Sequence, residues 1–450
     1  MHETIVIGAD EKTAGAVGRR NGEKGGLGLG VGREIGVILV RGAVETLEYF
    51  SGQMAACFAK AGCTVWFWDM KSPRESREGL KDFCRDRQTV LLTFNFIGLS
   101  GEPELEEDGQ TLWQRLGVRV YCIMVDHPIY YRKQLRFGDP DWRLFCVDRD
   151  HAAFVTKMYP EYGNTRFLPL AGTKLPEDDI QSGNFSVDHS GDPPYGRTGF
   201  GWGVDRPIDV LFAGNYVQMD MLKQRLSQLE ADNQSFLWGC IERLIADPGL
   251  TIEQVAIEGL LRELPDLSKD ELLDALYHFV VVDLYVRSYY RRRLVCGLAE
   301  EGIRIHVIGK DWNRAGCRKA ENLIVLGQRD SRYCLQRMRE SKMSLNIIPW
   351  FKNGAHDRVF NGMLQRCVTV TDSSLYLDGL LTEGKHYLGY TLSELRADGT
   401  KDLARRMKSA LSRPEQLREI AENGFALAEG GHTWSDRAGE VLQIINSEFN

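Results

Sequence analysis

What most limits the fold of this chain is a series of short, almost wholly apolar runs, each separated from the next by a longer polar or helical pattern. In the first half the runs are "IGVILVRG" (Ile35–Gly42), "CTVWFWD" (Cys63–Asp69), "TVLLTFNF" (Thr89–Phe96), "VRVYCIMVD" (Val118–Asp126), "WRLFCVD" (Trp142–Asp148) and "TRFLPL" (Thr165–Leu170). They lack the alternation expected of a strand with one wet face. Such runs suit strands buried on both faces, the condition of a parallel sheet covered by helices. A helical pattern over Val44–Ala61 stops at Gly62, as a C-cap would. A charged helix is expected around Arg74–Arg87.

The rhythm breaks between residues 173 and 206, which are rich in Gly, Pro, Ser and Asp, the composition of a connection or surface excursion. A fresh strand, "IDVLFAGN" (Ile208–Asn215), opens a second half and is followed by helical sequence to about Glu301. Strand runs then return at "IRIHVIG" (Ile303–Gly309), "NLIVLG" (Asn322–Gly327), "SLNIIP" (Ser344–Pro349) and "CVTVTD" (Cys367–Asp372). The end of the chain reads as amphipathic helices broken near Arg413-Pro414 and Glu429-Gly430-Gly431. At 450 residues the chain exceeds one compact core. The expected fold is α/β, two tandem Rossmann-like domains. Its parts are a glycine-rich extension (1–33), an N-terminal domain (34–172), a linker (173–206), a C-terminal domain (207–430, helical insertion about 217–301) and a terminal helix (431–450). In such folds ligands bind beyond the C-terminal strand ends, and a cleft between domains is the expected location.

Composition narrows the function. Hydrophobic residues make up 43% and charged residues 26%, ordinary for a soluble globular protein. Net charge is −7 with no long basic run, which argues against a nucleic-acid partner. The densest basic cluster, Arg291-Arg292-Arg293, reads as a solvated helix face. The aromatic-rich sequence before it reads as core-facing, with Asp283 and Arg287 at i,i+4 spacing for a supporting pair. No apolar run approaches the 18 residues of a transmembrane helix, and the N-terminus lacks a signal-peptide layout. Ten scattered cysteines without zinc-type spacing fit reduced, buried thiols and a cytoplasmic protein. Peripheral membrane association and oligomeric state stay open.

The stretch "EKGGLGLGVGREIG" (Glu23–Gly36) places five glycines between Gly25 and Gly32. A dinucleotide-binding fingerprint needs a helix directly after the glycines, and here another strand run follows, so a plain loop is expected. The more informative segment is "LNIIPWFKNGAHDRVFNGMLQRCVTVTD" (Leu345–Asp372). A buried strand is expected to end at Pro349, followed by a loop with Lys352, Asn353 and Gly354, then a helix from His356-Asp357 to Gln365. A helix N-terminus offers N–H groups and a positive dipole end to a phosphate, and Arg358 can add a bidentate contact. Equally, Asp357 is a first-turn acid favoured by the dipole, with Arg358 as its surface partner. Spacing alone leaves both open. In the first half, Asp126-His127-Pro128 closes an apolar strand, where His127 can act as general base oriented by Asp126, or simply pack in a strand-end turn. The D-x-D pairs Asp139/Asp141 and Asp148/Asp150 make a poor magnesium site, and no metal is expected. His432, Trp434 and Arg437 are expected to pack the terminal helix.

From Asp205 onward, the order "DVLFAGN … IRIHVIGKDW … NLIVLGQ … NIIPWFKNGAHDRVFNGM … CVTVTD … HTWSDRA" resembles the C-terminal half of GT-B fold glycosyltransferases. The likeness is greatest to the group 1-like domain of CgeB-type, spore-maturation-like proteins. The pieces "YCIMVDHP" and "RLFCVDRDHAAFV" resemble the acceptor-side domain that accompanies it. The resemblance implies a metal-independent glycosyltransferase with no required cofactor. Its donor would be a nucleotide-diphospho-sugar, a UDP-sugar by preference, and its acceptor a glycan, protein or cell-surface hydroxyl. Carried over by position, Gly214 and Asn215 lie near the diphosphate, and Lys310 and Trp312 supply a cation and a wall. Gly327 and Gln328 fall where the base is read, Arg358 faces the phosphates, and Asn361 sits at the ribose. His127 would serve the acceptor side. The broader group 1 family carries two glutamates at the spacing of Asn353 and Asn361, so this chain substitutes uncharged amides there. The usual glycine after this helix is replaced by Arg366-Cys367. A "K-x-G-G-L" loop of glycogen synthases resembles "EKGGLGLG", with one residue fewer after Lys24. Rival readings are a non-catalytic nucleotide-sugar or carbohydrate-binding protein and a nucleotide-sugar epimerase. A nicotinamide dehydrogenase is disfavoured because the glycine run lacks its helix.

Overall fold

The computed structural model describes residues 34–99, 103–176, 206–397 and 399–449. The glycine stretch with Lys24, Gly25 and Gly26, and most of the 173–206 connection, lie outside the described residues. The chain divides into two compact units. The first holds the residues up to Ile123, Asp141–Arg143 and the stretch from Ala438; the second holds Met124–Pro140 and Leu144–Arg437.

In chain order the early strands are β1 (Ile35–Arg41), β2 (Thr64–Asp69), β3 (Gln88–Phe94), the hairpin β4 (Glu106–Glu107) and β5 (Gln110–Thr111), β6 (Arg119–Met124), β7 (Arg143–Cys146) and β8 (Arg166–Phe167). There follow β9 (Ile208–Ala213), β10 (Ile305–Ile308), β11 (Leu323–Val325), β12 (Ser341–Leu345), β13 (Val368–Asp372) and β14 (Leu388–Tyr390). They form two six-stranded sheets in the orders β2-β1-β3-β6-β7-β8 and β11-β10-β9-β12-β13-β14. Both are the parallel, Rossmann-like sheets that the apolar runs predict.

In the first unit Val37, Ile38 and Leu39 of β1 are fully buried. The helix Glu45–Lys60 covers the sheet with Phe50, Met54 and Phe58, four residues apart on one stripe. Trp68 meets Trp113 edge to face at 5.3 Å, and the Trp113 indole donates to the Gly98 carbonyl at 2.7 Å. Two boundaries differ from the sequence reading. The helix expected over Arg74–Arg87 is two helices, Pro73–Arg77 and Leu80–Arg85, because Gly79 between them takes a left-handed φ of 77°. β3 stops at Phe94 because Asn95 and Phe96 turn the chain at φ 51° and 61°.

In the second unit the helical insertion is five helices: Met219–Ser227, Ala231–Ala246, Ile252–Glu263, Lys269–Tyr277 and Val280–Glu300. Capping boxes start two of them, Thr251 with Gln254 and Ser268 with Glu271. The Val280–Glu300 helix buries Val282, Asp283, Tyr285, Val286 and Tyr290. The solvated face expected at Arg291-Arg292-Arg293 is not what forms. All three guanidinium groups turn to backbone carbonyls: Arg291 to Asn215 at 2.6 Å, Arg292 to Ala315 at 2.6 Å, and Arg293 to Leu395 and Arg396. Carbonyls left open at strand and helix ends are good partners for such forked donors.

β12 ends at Leu345, short of Pro349, and the helix Asp357–Leu364 follows with all 8 of its residues buried. Its apolar side chains Val359, Phe360, Met363 and Leu364 join Ile348 and Leu377 in one core cluster. After it, Cys367 N donates to Gly362 O and Arg366 N to Met363 O, both at 2.9 Å, a Schellman closure. Arg366 occupies the left-handed position that glycine usually takes, at φ 53°, and is held by Glu422 and the Phe425 ring. Gly362 lets the helix press on β13: a Cβ there would lie 2.8 Å from Thr369 Oγ1. Overpacking costs roughly 1–3 kcal/mol, against the ~1 kcal/mol helix gain of alanine over glycine. Gly362→Ala is therefore expected to lower the thermal midpoint; a raised midpoint would show that the contact has slack.

Candidate functional site

The site grows from the C-terminal tips of β9 and β10. Gly214 N donates to Ile308 O at 2.8 Å, and Tyr216 N to Lys310 O at 3.1 Å. Asn215 Oδ1 accepts from Lys310 N at 2.9 Å, and the Trp312 indole donates to Gly214 O at 2.7 Å. Gly309, at φ 147°, allows this approach, since a Cβ there would sit 2.6 Å from the Gly214 carbonyl carbon. Asn215 is thus a strut between the tips. Trp312 is 1% exposed and packs on Phe212 and Tyr216, so it supports the loop from beneath rather than walling an open site. The side chain of Lys310 is exposed beside it. Gly327, at φ 71°, ties in the neighbouring strand by accepting from Gly309 N at 2.8 Å, and Gln328 beyond it is exposed.

Arg358 reaches this tip from the helix Asp357–Leu364. It is 5% exposed, and its Nη1 donates to Ala213 O at 2.8 Å, while Nε and Nη2 are buried without a partner. Gly214 clears space for it: a Cβ at that position would lie 2.7 Å from Nη1. His356 is the N-cap, its Nδ1 accepting from Arg358 N at 3.3 Å, and it also contacts the Asp357 carboxylate. Val359 N bonds His356 O at 3.1 Å, so what the helix end offers a ligand is chiefly its dipole. Burial and the neighbouring Arg358 hold His356 below its usual range. Burial alone would raise Asp357, but His356 and Arg358 outweigh it and keep the carboxylate ionised. Asn361 is committed internally: its Nδ2 donates to Asp357 at 2.8 Å and its Oδ1 accepts from Thr173 N at 2.8 Å.

The loop before this helix is sewn to the start of helix Arg149–Met158. Asp148, fully buried, caps that helix through Oδ1 and accepts Asn353 N at 2.7 Å through Oδ2; burial pushes its carboxyl up to about 6. The Asn353 amide donates to Asp150 at 3.2 Å. Gly354 pairs with Asp148 backbone to backbone, and a Cβ there would strike Val147 O and lie 2.9 Å from Asp148 Cα. Lys352 donates to Pro248 O, and burial lowers its pKa. Asp372, at the end of β13, accepts Ile348 N at 2.9 Å and is pushed up to about 7 by burial.

His127 is 5% exposed. Its Nδ1 accepts from Ile129 N at 3.2 Å, which leaves the proton on Nε2, donated to Glu253 Oε2 at 2.9 Å. The carboxylate on this ring is therefore Glu253, from the helical insertion; Asp126 instead accepts the Tyr131 hydroxyl at 3.2 Å. His151 stacks edge to face on His127 at 4.4 Å, and burial followed by His127 holds it well below its usual range. The i,i+4 pair expected at Asp283 and Arg287 is present, with Tyr130 donating to the same carboxylate. Sequence reasoning missed Glu253, Arg291 and the bond from Asp148 to Asn353, since each meets its partner across a long stretch of chain. The terminal motif packs as expected of it: His432 stacks on Phe360 at 4.4 Å, and Arg437 donates to Pro169 O at 2.8 Å.

Among the described residues no helix is long and apolar enough to cross a membrane, and no group of His, Cys, Asp and Glu is arranged to hold a metal ion. Residues 287–443 match a family model described as glycosyl transferase-like. That segment spans Arg291, the β10 loop, Arg358 and His432. A comparison with curated proteins returns no match. Among solved structures, the chain is similar to sucrose-phosphate synthase from Thermosynechococcus elongatus (11% identity, 93% of this chain and 99% of that one, TM-score 0.48). It is also similar to a glycosyltransferase from Rickettsia africae (8% identity, 92% and 98%, TM-score 0.48). A third is Anabaena HepE, solved with UDP and glucose (8% identity, 92% and 99%, TM-score 0.46).

The His127–Glu253 pair has a measurable signature. Burial would raise Glu253, but the His127 hydrogen bond outweighs it and sets the carboxyl at about 2 against an ordinary 4.5. Because the folded value is depressed, the stabilisation is complete above the ordinary value and is lost as pH falls toward about 2. Glu253→Gln should lower the thermal midpoint near neutral pH, with the gap to the parent closing as pH drops below about 4.5. A gap that stays constant through that window would show that the stabilisation does not come from the ionised Glu253 carboxylate.

Proposed function

We propose that this chain is a glycosyltransferase, moving a hexosyl group from a nucleotide-diphospho-sugar to a hydroxyl of a glycan, protein or cell-surface acceptor. One observation carries the reading: Arg358, 5% exposed, keeps two guanidinium nitrogens without partners at the tip of β9, inside the glycosyl transferase-like segment. Buried, unsatisfied donors are costly, and a bidentate oxyanion removes that cost. In sugar transfer the bond from the anomeric carbon to the β-phosphate oxygen breaks, and negative charge gathers on the departing diphosphate. A fixed guanidinium aimed at that charge stabilises the transition state more than the ground state. In this reading the protein's own cations, Arg358 with the dipole of its helix and Lys310 nearby, serve the leaving group, and transfer is metal-independent. The base is read by backbone at Gly327 and Gln328, with UDP the preferred nucleotide. Asn215, Trp312, Gly354, His356 and Asp357 hold the donor loops in place, and Asn353 and Asn361 bound the sugar and ribose end. His127 and Asp126 serve the acceptor side, with His127 held in place by its hydrogen bond to Glu253. The "HDRVFNGM" and "HTWSDRA" stretches support a closer kinship with CgeB-type proteins, and a cytoplasmic location fits the scattered thiols.

A second reading, a nucleotide-sugar-binding protein without turnover, has its own support. Asn353 and Asn361 stand where related transferases carry glutamates, and their amides are committed to Asp150, Asp357 and Thr173. The test is thermal denaturation with UDP-, GDP-, dTDP- and CDP-sugars, with and without Arg358→Ala, together with release of free nucleoside diphosphate. A ligand at a hundredfold excess over Kd stabilises by about 2.7 kcal/mol. A shift with one nucleotide class, lost in Arg358→Ala and accompanied by release, is expected. Binding without release under every acceptor supports the second reading, and no shift with any nucleotide overturns both.

A further inference from the structure

Arg291 lies on the helical insertion, and neither motif nor spacing gives it a role. Its Nη1 donates to Asn215 O at 2.6 Å, while Arg358 Nη1 donates to Ala213 O at 2.8 Å. The two guanidinium groups therefore grip the residues on either side of Gly214, at one strand tip. Both have a buried Nε without a partner, and Arg358 adds an unpartnered Nη2. The nearby carboxylates are occupied. Asp283 serves Arg287 and Tyr130, and Asp357 serves His356 and Asn361. Like charges at a desolvated tip repel, and the carboxylates that favour these two cations, Asp357 for Arg358 and Asp283 for Arg291, spend their hydrogen bonds on other groups.

We propose that Arg291 and Arg358 form a two-arginine clamp across Gly214 that binds the two phosphates of a diphosphate. The side-chain-free Gly214 lets Arg358 reach the strand tip at all, since a Cβ there would lie 2.7 Å from its Nη1. Burial, then Arg358, then Arg287 push the Arg291 guanidinium well below its ordinary value. The clamp couples the helical insertion to ligand binding, because one of its two cations comes from the Val280–Glu300 helix. This inference rests on the donor site proposed above and names its second phosphate ligand.

The experiment measures thermal midpoints and affinities for inorganic pyrophosphate and UDP at low ionic strength, for the parent, Arg291→Gln, Arg291→Lys and Arg358→Gln. Glutamine removes the repelling charge, while its shorter side chain gives up the Asn215 carbonyl, and the two changes oppose one another in the unliganded fold. Arg291→Gln is therefore expected to weaken pyrophosphate at least about tenfold with an unliganded midpoint close to the parent's. Arg291→Lys, which keeps the charge but loses the fork, is expected to fall between. A lower unliganded midpoint with unchanged pyrophosphate affinity would make Arg291 purely structural and overturn the clamp. Should Arg291→Gln fail to fold, Arg291→Lys with parental affinity overturns it equally. If UDP binding needs Arg358 but ignores Arg291, the clamp fails and the donor site stands. If pyrophosphate needs both arginines while no nucleotide sugar binds, the clamp stands and the donor reading falls.

Discussion

The contact on which the second unit turns is the approach of two backbones, Gly309 against the carbonyl of Gly214. A side chain at either position is excluded, one by the neighbouring backbone and the other by Arg358. With that contact in place, the loops after β9 and β10 exchange hydrogen bonds through Asn215, Lys310 and Trp312 and become one rigid edge. Three elements distant in sequence then read the same edge: Trp312 from below, Arg291 from the insertion, and Arg358 from the helix after β12. Fixed donors around a tip of this kind cost little reorganisation when a charge arrives, the property that electrostatic catalysis needs.

The same unit shows how polar burial is managed elsewhere. Asp148 is fully buried yet satisfies three backbone N–H groups, two at the head of its own helix and one at Asn353. Asp372 does likewise for Ile348. Both carboxyls are pushed upward by burial, to about 6 and about 7. These groups have their partners, so they read as struts. Arg358 differs because two of its guanidinium nitrogens, Nε and Nη2, remain without hydrogen-bond partners. That pair of donors, rather than charge or burial alone, supports the ligand site proposed at the strand tip.

Much of the framework was legible in the sequence because strand burial and helix capping are local properties. The apolar runs locate every strand of both sheets except the short edge strand β14, and the helix beginning at His356-Asp357 and the Asp283–Arg287 pair depend on neighbours within one or two turns. What escaped depends on contacts between distant segments. Arg291, Arg292 and Arg293 look like a solvated stripe until the carbonyls of Asn215, Ala315 and Leu395 are seen beneath them. Glu253 lies 126 residues from the histidine it holds. Trp312 is expected from the resemblance to wall the donor, but its indole is taken by Gly214 O. The N-cap of the Arg358 helix was readable as a phosphate-binding terminus, yet its first donors are closed by His356.

The most direct measurement is a crystal structure of the chain with UDP. The diphosphate is expected at the tip of β9, with one phosphate within hydrogen-bond distance of Arg358 Nε or Nη2 and the other facing Arg291. Phosphates bound elsewhere, with both arginines still holding only Ala213 O and Asn215 O, would contradict this placement.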